Sequence, residues 1–420
     1  MAGVLDVRLF GRHIGTVAIE GALRSPEDWR FRYDQAYLQS ESPTPLSVML
    51  PLRDAGFSGA IVSNWFGNLL PEGVVRETIE RRLRLPPRDD FAFLEAIGGE
   101  CAGAVSVGPQ LAPAGGNTQA QDDLETLIAQ QGEGAGEGAW AALGAPRRLS
   151  LAGAQDKIAV IRQSNGRLAL PAPGAVSTHI LKPDSLRLRG LRDLEALGLR
   201  LARAMGLNAV TVEMMQVGGR EALLVERYDR WYGSDGSAQR LHQEDFCQAL
   251  GYPAGLKYES QGGPSLADCA ALVRTRLRLG PFALQHFLDW VVFSAIIGNA
   301  DAHAKNLSLL TTPDSKRQLA PFYDLVPILT LPESMIDRAP ALRIGSARRI
   351  DAVSSDDWRE FARATGYAPR FVLARVDEMA GQVLAMIDAV ARQLVDEGAD
   401  ERRLQAALSA ITTNARQQRH

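Results

Sequence analysis

The segment Gly298-Asn299-Ala300-Asp301-Ala302-His303-Ala304-Lys305-Asn306 sets an aspartate and an asparagine in Asp-x-x-x-x-Asn spacing, between an apolar run and a short apolar strand. Phosphoryl transfer uses that spacing. One carboxylate faces an attacking hydroxyl, and an amide oxygen one loop turn later reaches a magnesium ion on the phosphates. A helix cap whose polar residues merely face water reads the same way, and the spacing alone is common by chance. Asp324, in Ala-Pro-Phe-Tyr-Asp-Leu-Val-Pro, adds the second acidic position a kinase needs after a hairpin. Tyr323-Asp324-Leu325 stands where protein kinases carry Asp-Phe-Gly. Lys182 ends the apolar run Ser-Thr-His-Ile-Leu-Lys. A buried lysine is costly unless paired, so Glu195 on the following helix is the expected partner, ahead of Asp193, with nucleotide phosphates as the expected contact.

Lysine is scarce. Of 46 basic residues only Lys157, Lys182, Lys257, Lys305 and Lys316 are lysines, so each marks a place where a compact ammonium serves and a planar guanidinium would not. Lys157 closes Ser150-Leu151-Ala152-Gly153-Ala154-Gln155-Asp156-Lys157, whose small residues let the backbone approach phosphates. The segment is neither a Walker motif nor a GxGxxG, and by itself a plain turn explains it. Ser150, preceded by Arg147-Arg148, is a candidate phosphorylation site, because a new dianion there could pair with those arginines. Glu226-Arg227-Tyr228 follows an apolar strand, where a kinase hinge presents its backbone to adenine.

These residues must be positioned by a chain of 420 residues with net charge −3, a length that suggests two or three domains. The charge argues against a broad, non-specific nucleic-acid binder. Three cysteines without CxxC spacing exclude a disulfide framework and a Cys-rich zinc site. No signal peptide is evident, and the most apolar stretch, 287–298, is shorter than the roughly 20 residues a bilayer needs. A cytoplasmic protein is expected, with no membrane partner.

Alternating runs at 4–10 and 16–19 predict a β-hairpin, 31–38 a third strand, 74–83 a helix, a second helix opening at Asp89-Asp90, and 101–107 a closing strand. Strands are predicted at 148–151, 158–162, 176–181, 210–217 and 222–226, with a helix over 191–205. Beyond these come helices at 243–250, 266–279, 281–297, 358–365, 369–393 and 400–411, and a hairpin of 307–310 with 318–321. The division is 1–108, a small α+β subdomain; 109–146, a Gly/Ala-rich linker with one helix at 124–131; 147–240, a strand-rich nucleotide-binding portion; and 241–420, a helical lobe.

Read together, the motifs resemble the HipA family, the kinase toxins of bacterial toxin–antitoxin pairs. They run in order as PLSVMLPL, NWFGNLLPEG, SLAGAQDK, THILKP, VERYDR, HQEDFCQALG, LKYESQGGP, GNADAHAKN and FYDLVP. The resemblance implies an α+β, two-lobed kinase-like fold of the HipA and phosphoinositide-kinase type, with an all-helical C-terminal lobe. It makes Asp301 the catalytic base and Asn306 and Asp324 the Mg²⁺ ligands. It places ATP against Ala152, Gly153, Ala154, Gln155, Asp156, Lys157, Lys182, Glu226, Arg227, Tyr228, His303, Ala304, Lys305, Asn306, Tyr323 and Asp324. Ser150 becomes the autophosphorylated serine that switches the kinase off. The implied protein substrate is an aminoacyl-tRNA synthetase, typically glutamyl-tRNA synthetase. The implied partner is a HipB-like helix-turn-helix antitoxin, which brings operator DNA. Asp156 stands where relatives often have Glu.

Two alternatives remain open on sequence. A small-molecule phosphotransferase would share the Asp301–Asn306 spacing without needing the N-terminal 108 residues or a serine beside the phosphate loop. A catalytically silent co-repressor with a helix-turn-helix partner would turn Arg343, Arg348, Arg349, Arg402 and Arg403 toward DNA phosphates, although every candidate catalytic position carries a competent residue.

Overall fold

The computed structural model describes residues 3–21, 24–109, 124–131, 136–172, 174–234 and 236–419. The linker expected at 109–146 falls partly outside them. Two compact units emerge. The first is Met1–Leu186 with Met215–Gly255 and Leu309–Arg317; the second is Arg187–Met214, Leu256–Ser308 and Gln318–His420.

In the first unit the opening strands alternate as their residues do. β1 (Gly3–Leu9) and β2 (Arg12–Ile19) pair antiparallel around a two-residue turn at Phe10-Gly11, with Leu5, Val7 and Leu9 turned inward. β3 (Trp29–Tyr33), β4 (Phe57–Ser58) and β5 (Val105–Val107) complete a sheet in the order β4-β3-β2-β1-β5. The third strand is shorter than expected because Asp34 stops it, its carboxylate accepting from the Ala36 and Tyr37 amides to start the helical turn Gln35–Leu38. NWFGNLLPEG contains the end of a helix, Ala60–Gly67, whose Val62, Trp65 and Phe66 are buried at helical spacing.

PLSVMLPL is neither helix nor strand. Remote side chains satisfy its buried backbone. Tyr33 Oη accepts from the Leu46 amide at 2.7 Å and donates to the Leu50 carbonyl at 2.5 Å. The Glu244 carboxylate accepts from Ser47 Oγ at 2.6 Å and the Val48 amide at 3.1 Å. Burial pushes Glu244 up to about 7, against the pull of those bonds.

A second sheet consists of β6 (Ile158–Arg162), β7 (Leu168–Ala169), β8 (His179–Pro183), β9 (Val212–Val217) and β10 (Arg220–Glu226), ordered β7-β6-β8-β10-β9. The strand expected at 148–151 is replaced by one bridge, Glu100 to Leu149, because Arg148 turns left-handed at φ 58° and breaks the extension. The helix expected at 243–250 is also shorter. His242–Asp245 is a strand, and Asp245 caps only Phe246–Leu250, in a reciprocal capping box with Gln248.

A buried ion cluster ties the two sheets of this unit together. Arg227 meets Asp229 at 2.7 Å and Arg230 meets Glu100 at 2.6 Å. Ser177 Oγ donates to Glu100 at 2.7 Å, and Arg240 donates to the carbonyls of Cys101, Gly103 and Val105.

In the second unit Pro281–Ile297 is one helix, buried continuously from Phe287 to Ile297. Gly298 closes it at φ 73°, a left-handed cap that disfavours any side chain. The last carbonyls of a helix need partners. Here Asn414 Nδ2 donates to Ala295 and Ile296 at 2.8 and 2.9 Å, and Gln418 Nε2 to Ala295 at 3.2 Å. Both come from the terminal helix Glu401–Gln418, which runs past the expected end at Ile411 to deliver them. The helix expected at 266–279 is α-helical only over Leu266–Ala271 and continues as a π-turn, Leu272–Arg276. Among the described residues no helix is long and apolar enough to cross a membrane.

Candidate active site

The 301–306 loop leaves the capped end of Pro281–Ile297, so a rigid buried helix fixes where it starts. Asp301 is exposed, while His303, Ala304, Lys305 and Asn306 are buried. The loop folds on its own backbone. The His303 amide donates to the Asp301 carbonyl at 2.8 Å, and the Asn306 amide to the His303 carbonyl at 2.9 Å. Asn306 Nδ2 donates to the Asp301 carbonyl at 3.2 Å, which orients the amide and leaves its Oδ1 with no donor among the described residues.

The Tyr323-Asp324 segment is bound to this loop. Tyr323 Oη donates to the Lys305 carbonyl at 2.7 Å and lies 2.6 Å from Ser308 Oγ. Asn299 Nδ2 donates to the Asp324 carbonyl at 3.3 Å. Asp324 itself is left-handed, at φ 52°, a conformation aspartate tolerates better than most residues but still at a cost of about 1–3 kcal/mol. His303 stays neutral near pH 7. Burial foremost, then the charges of Lys257 and Lys305, push it down to about 3, opposed by Asp324.

Gly198, on the helix Leu191–Ala204, makes this packing possible, since a Cβ there would lie 2.1 Å from the Leu325 carbonyl oxygen. Glycine to alanine inside a helix ordinarily stabilises by about 0.5–1 kcal/mol. Gly198→Ala is instead expected to destabilise by about 1–3 kcal/mol, because the clash is with backbone. Denaturant titration reads the sign, and a stabilised variant would contradict this packing.

In the first unit, the phosphate-loop candidate 152–157 is also held by backbone. The Ser150 amide donates to the Glu100 carbonyl at 2.9 Å, and Ser150 Oγ to the Leu69 carbonyl at 2.8 Å, leaving Ser150 fully buried. The Glu72 amide donates to the Gly153 carbonyl at 3.0 Å. Asp156 accepts from the Trp140 and Ala141 amides at 3.1 and 2.8 Å, at the start of the helix Ala139–Gly144. Its pKa is nonetheless raised, burial outweighing those bonds. Lys157 folds back over Gly153, its ammonium 3.0 Å from where a Cβ would stand. Lys182 sits inside β8, opposite Leu223 of β10 and 5% exposed. The Arg227 guanidinium lies in the ion cluster, and its amide donates to the Thr178 carbonyl at 3.1 Å.

Glu195 belongs to the second unit, buried on Leu191–Ala204. Its neighbour Asp193 is fully engaged, pairing with Arg192 at 2.7 Å and Arg403 at 2.6 Å while accepting the Asp400 amide. Among the described residues no three His, Cys, Asp or Glu side chains gather to hold a metal. The donor set of Asn306 and Asp324 still fits a hard cation, which takes amide and carboxylate oxygens and draws its remaining ligands from phosphates and water.

The family models decide the grouping. The HipA N-terminal domain matches residues 5–108, and the HipA-like C-terminal domain matches 149–387. The chain belongs to the HipA family. The Sinorhizobium fredii protein named "Putative kinase Y4mE" is 38% identical over 388 residues, spanning 88% of this chain and 87% of that one. The serine/threonine-protein kinase toxin HipA of Shewanella oneidensis is 33% identical over 347 residues, spanning 77% of this chain and 75% of its own length. A solved complex of HipA, HipB and operator DNA from Shewanella oneidensis gives a TM-score of 0.78 at 24% identity, covering 98% of this chain and 96% of that one. That likeness shows the α+β kinase-like fold, and the family models with the kinase-named relatives make the chain a HipA-family kinase.

Sequence reasoning missed three groups that hold or contact the start of the 301–306 loop. Asn414 and Gln418 lie in a stretch with no motif. Tyr258, whose hydroxyl reaches Asp301, lies in LKYESQGGP, a motif noted only for its resemblance.

Proposed function

We propose that this chain is an ATP-dependent serine/threonine protein kinase that acts in the cytoplasm as the toxin of a toxin–antitoxin pair. The observation that carries the reading is the lacing of the 301–306 loop to the Tyr323-Asp324 segment through Asn299 and Tyr323, with Asn306 closing the loop on the Asp301 carbonyl. Asp301 orients the attacking serine hydroxyl and accepts its proton. Lys182 and residues 152–157 hold the phosphates. Asn306 and Asp324 would hold Mg²⁺, which when bound neutralises charge on the transferring group. The backbone of Glu226, Arg227 and Tyr228 is the proposed hinge for adenine. Neutral His303 and buried Lys305 line the nucleotide side of the loop. Glu195 is the proposed partner of Lys182.

The names of the relatives support the toxin role, and the solved complex supports a HipB-like helix-turn-helix antitoxin that carries operator DNA. The family resemblance supports an aminoacyl-tRNA synthetase, glutamyl-tRNA synthetase first, as the protein whose modification inhibits translation and arrests growth. Self-modification at Ser150 then silences the enzyme.

The test is transfer of γ-labelled phosphate from ATP by the purified full chain. Label is expected on Ser150 and on the synthetase, and Ser150→Ala is expected to abolish self-labelling while retaining transfer to the synthetase. Label confined to a small molecule would replace this reading with a metabolic phosphotransferase. Failure to bind MgATP in calorimetry would replace it with the silent co-repressor.

A further inference from the structure

Segment 256–264, LKYESQGGP, carries no role in the chemistry proposed above, yet it is fastened to both flanks of the 301–306 loop. The Ala304 amide donates to the Lys257 carbonyl at 3.4 Å. The Glu259 amide donates to the Ala341 carbonyl at 2.9 Å, and the Ala341 amide to the Ala300 carbonyl at 2.8 Å. The Glu259 carboxylate accepts from the Arg343 amide at 2.7 Å, closing the far side. Between these anchors Tyr258 Oη donates to Asp301 Oδ1 at 2.9 Å. The Tyr258 ring meets His303 edge to face, with centroids 5.4 Å apart, and Lys257 Nζ lies 5.6 Å from the same ring.

We infer that Tyr258 is a positioning residue for the phosphoryl transfer, holding the Asp301 carboxylate in the rotamer that meets the acceptor hydroxyl. This rests on the kinase reading of Asp301. The physical case is that an exposed aspartate on a loop has free rotamers, and a carboxylate off by a fraction of a turn no longer reaches its proton. The bond from the phenol to Oδ1 fixes the rotation of the carboxylate. The phenol is itself fixed, by backbone bonds on either side and by its edge-to-face contact with the His303 ring.

The experiment is a cycle of Tyr258→Phe, Asp301→Asn and the double variant, all in the full chain, read as single-turnover transfer of γ-labelled phosphate. Tyr258→Phe keeps the ring and its contacts. It is expected to slow transfer by about 10- to 100-fold, the worth of one hydrogen bond to a charged group, with KM for ATP and the thermal midpoint unchanged. In the Asp301→Asn background the same change is expected to cost less than about 2-fold, because the carboxylate it acts through has gone. An equal loss in both backgrounds, or a loss confined to KM, would overturn the inference while leaving the kinase reading standing. No transfer by the wild-type chain would overturn both.

Discussion

Replacing Asp301 with asparagine is expected to slow phosphoryl transfer by about 10²- to 10⁴-fold, the usual contribution of a positioned base, while the chain stays folded and still binds ATP. The fold tolerates the change because the loop is held through the Asp301 carbonyl, which accepts from the His303 amide and Asn306 Nδ2 and survives the substitution. The side chain is exposed, so no buried charge is left unpaired. Single-turnover labelling reads the rate; calorimetry and a thermal melt read binding and folding. Undiminished transfer in the variant would remove Asp301 from the chemistry, and with it the reading of the 301–306 loop.

The largest stability effect is expected from the ion cluster. Arg227→Met leaves Asp229 and Glu100 short of a counter-charge in a fully buried setting, and removal of one partner from such a cluster costs about 3–5 kcal/mol. The pH dependence follows in sign. Burial on its own would raise Glu100, but Arg227, Arg230 and Arg240 together bring it below its ordinary 4.5. Asp229 likewise ends well below its ordinary 3.8, burial being overcome by Arg227 and Arg230. Carboxylates depressed in the folded state contribute stability that is complete above their unfolded values and lost as pH falls through the folded ones. The wild-type chain is therefore expected to lose stability steadily below about pH 4. The variant, already deprived of much of that contribution, is expected to show a shallower acid dependence. Denaturant titrations at pH 7 and pH 4 measure both effects, and a loss under about 1 kcal/mol at pH 7 would mean that the cluster is effectively solvated.

Elements whose cause is local were legible in the sequence. Ile158–Arg162 and Pro281–Ile297 have the bounds that their apolar runs predict, since burial of those runs is what forms them. Asp301, Asn306 and Asp324 were singled out by spacing, and the structure hydrogen-bonds the 301–306 loop to the Tyr323-Asp324 segment. What stayed hidden depends on distant partners. PLSVMLPL needs Tyr33 and Glu244, so nothing in its own eight residues could reveal its shape. Residues 243–245 looked helical because Asp245 begins a helix only where its carboxylate meets the Gln248 amide. The terminal helix outruns its apolar pattern because Asn414 and Gln418 are polar residues used inside, on carbonyls the sequence does not advertise. Tyr258 is the same case at the site: its chemistry lies in what it touches, 43 residues away.

Ser150 has no accessible surface, its hydroxyl tied to Leu69 and its amide to Glu100. As the proposed phosphate acceptor, a hydroxyl so enclosed can react only during brief departures of its segment from that seat. Self-silencing would then keep time by those departures, and the Leu69-Leu70-Pro71 stretch becomes the escapement of the clock. Substitutions there should lengthen or shorten the active lifetime of each molecule while every group that handles ATP remains as it was.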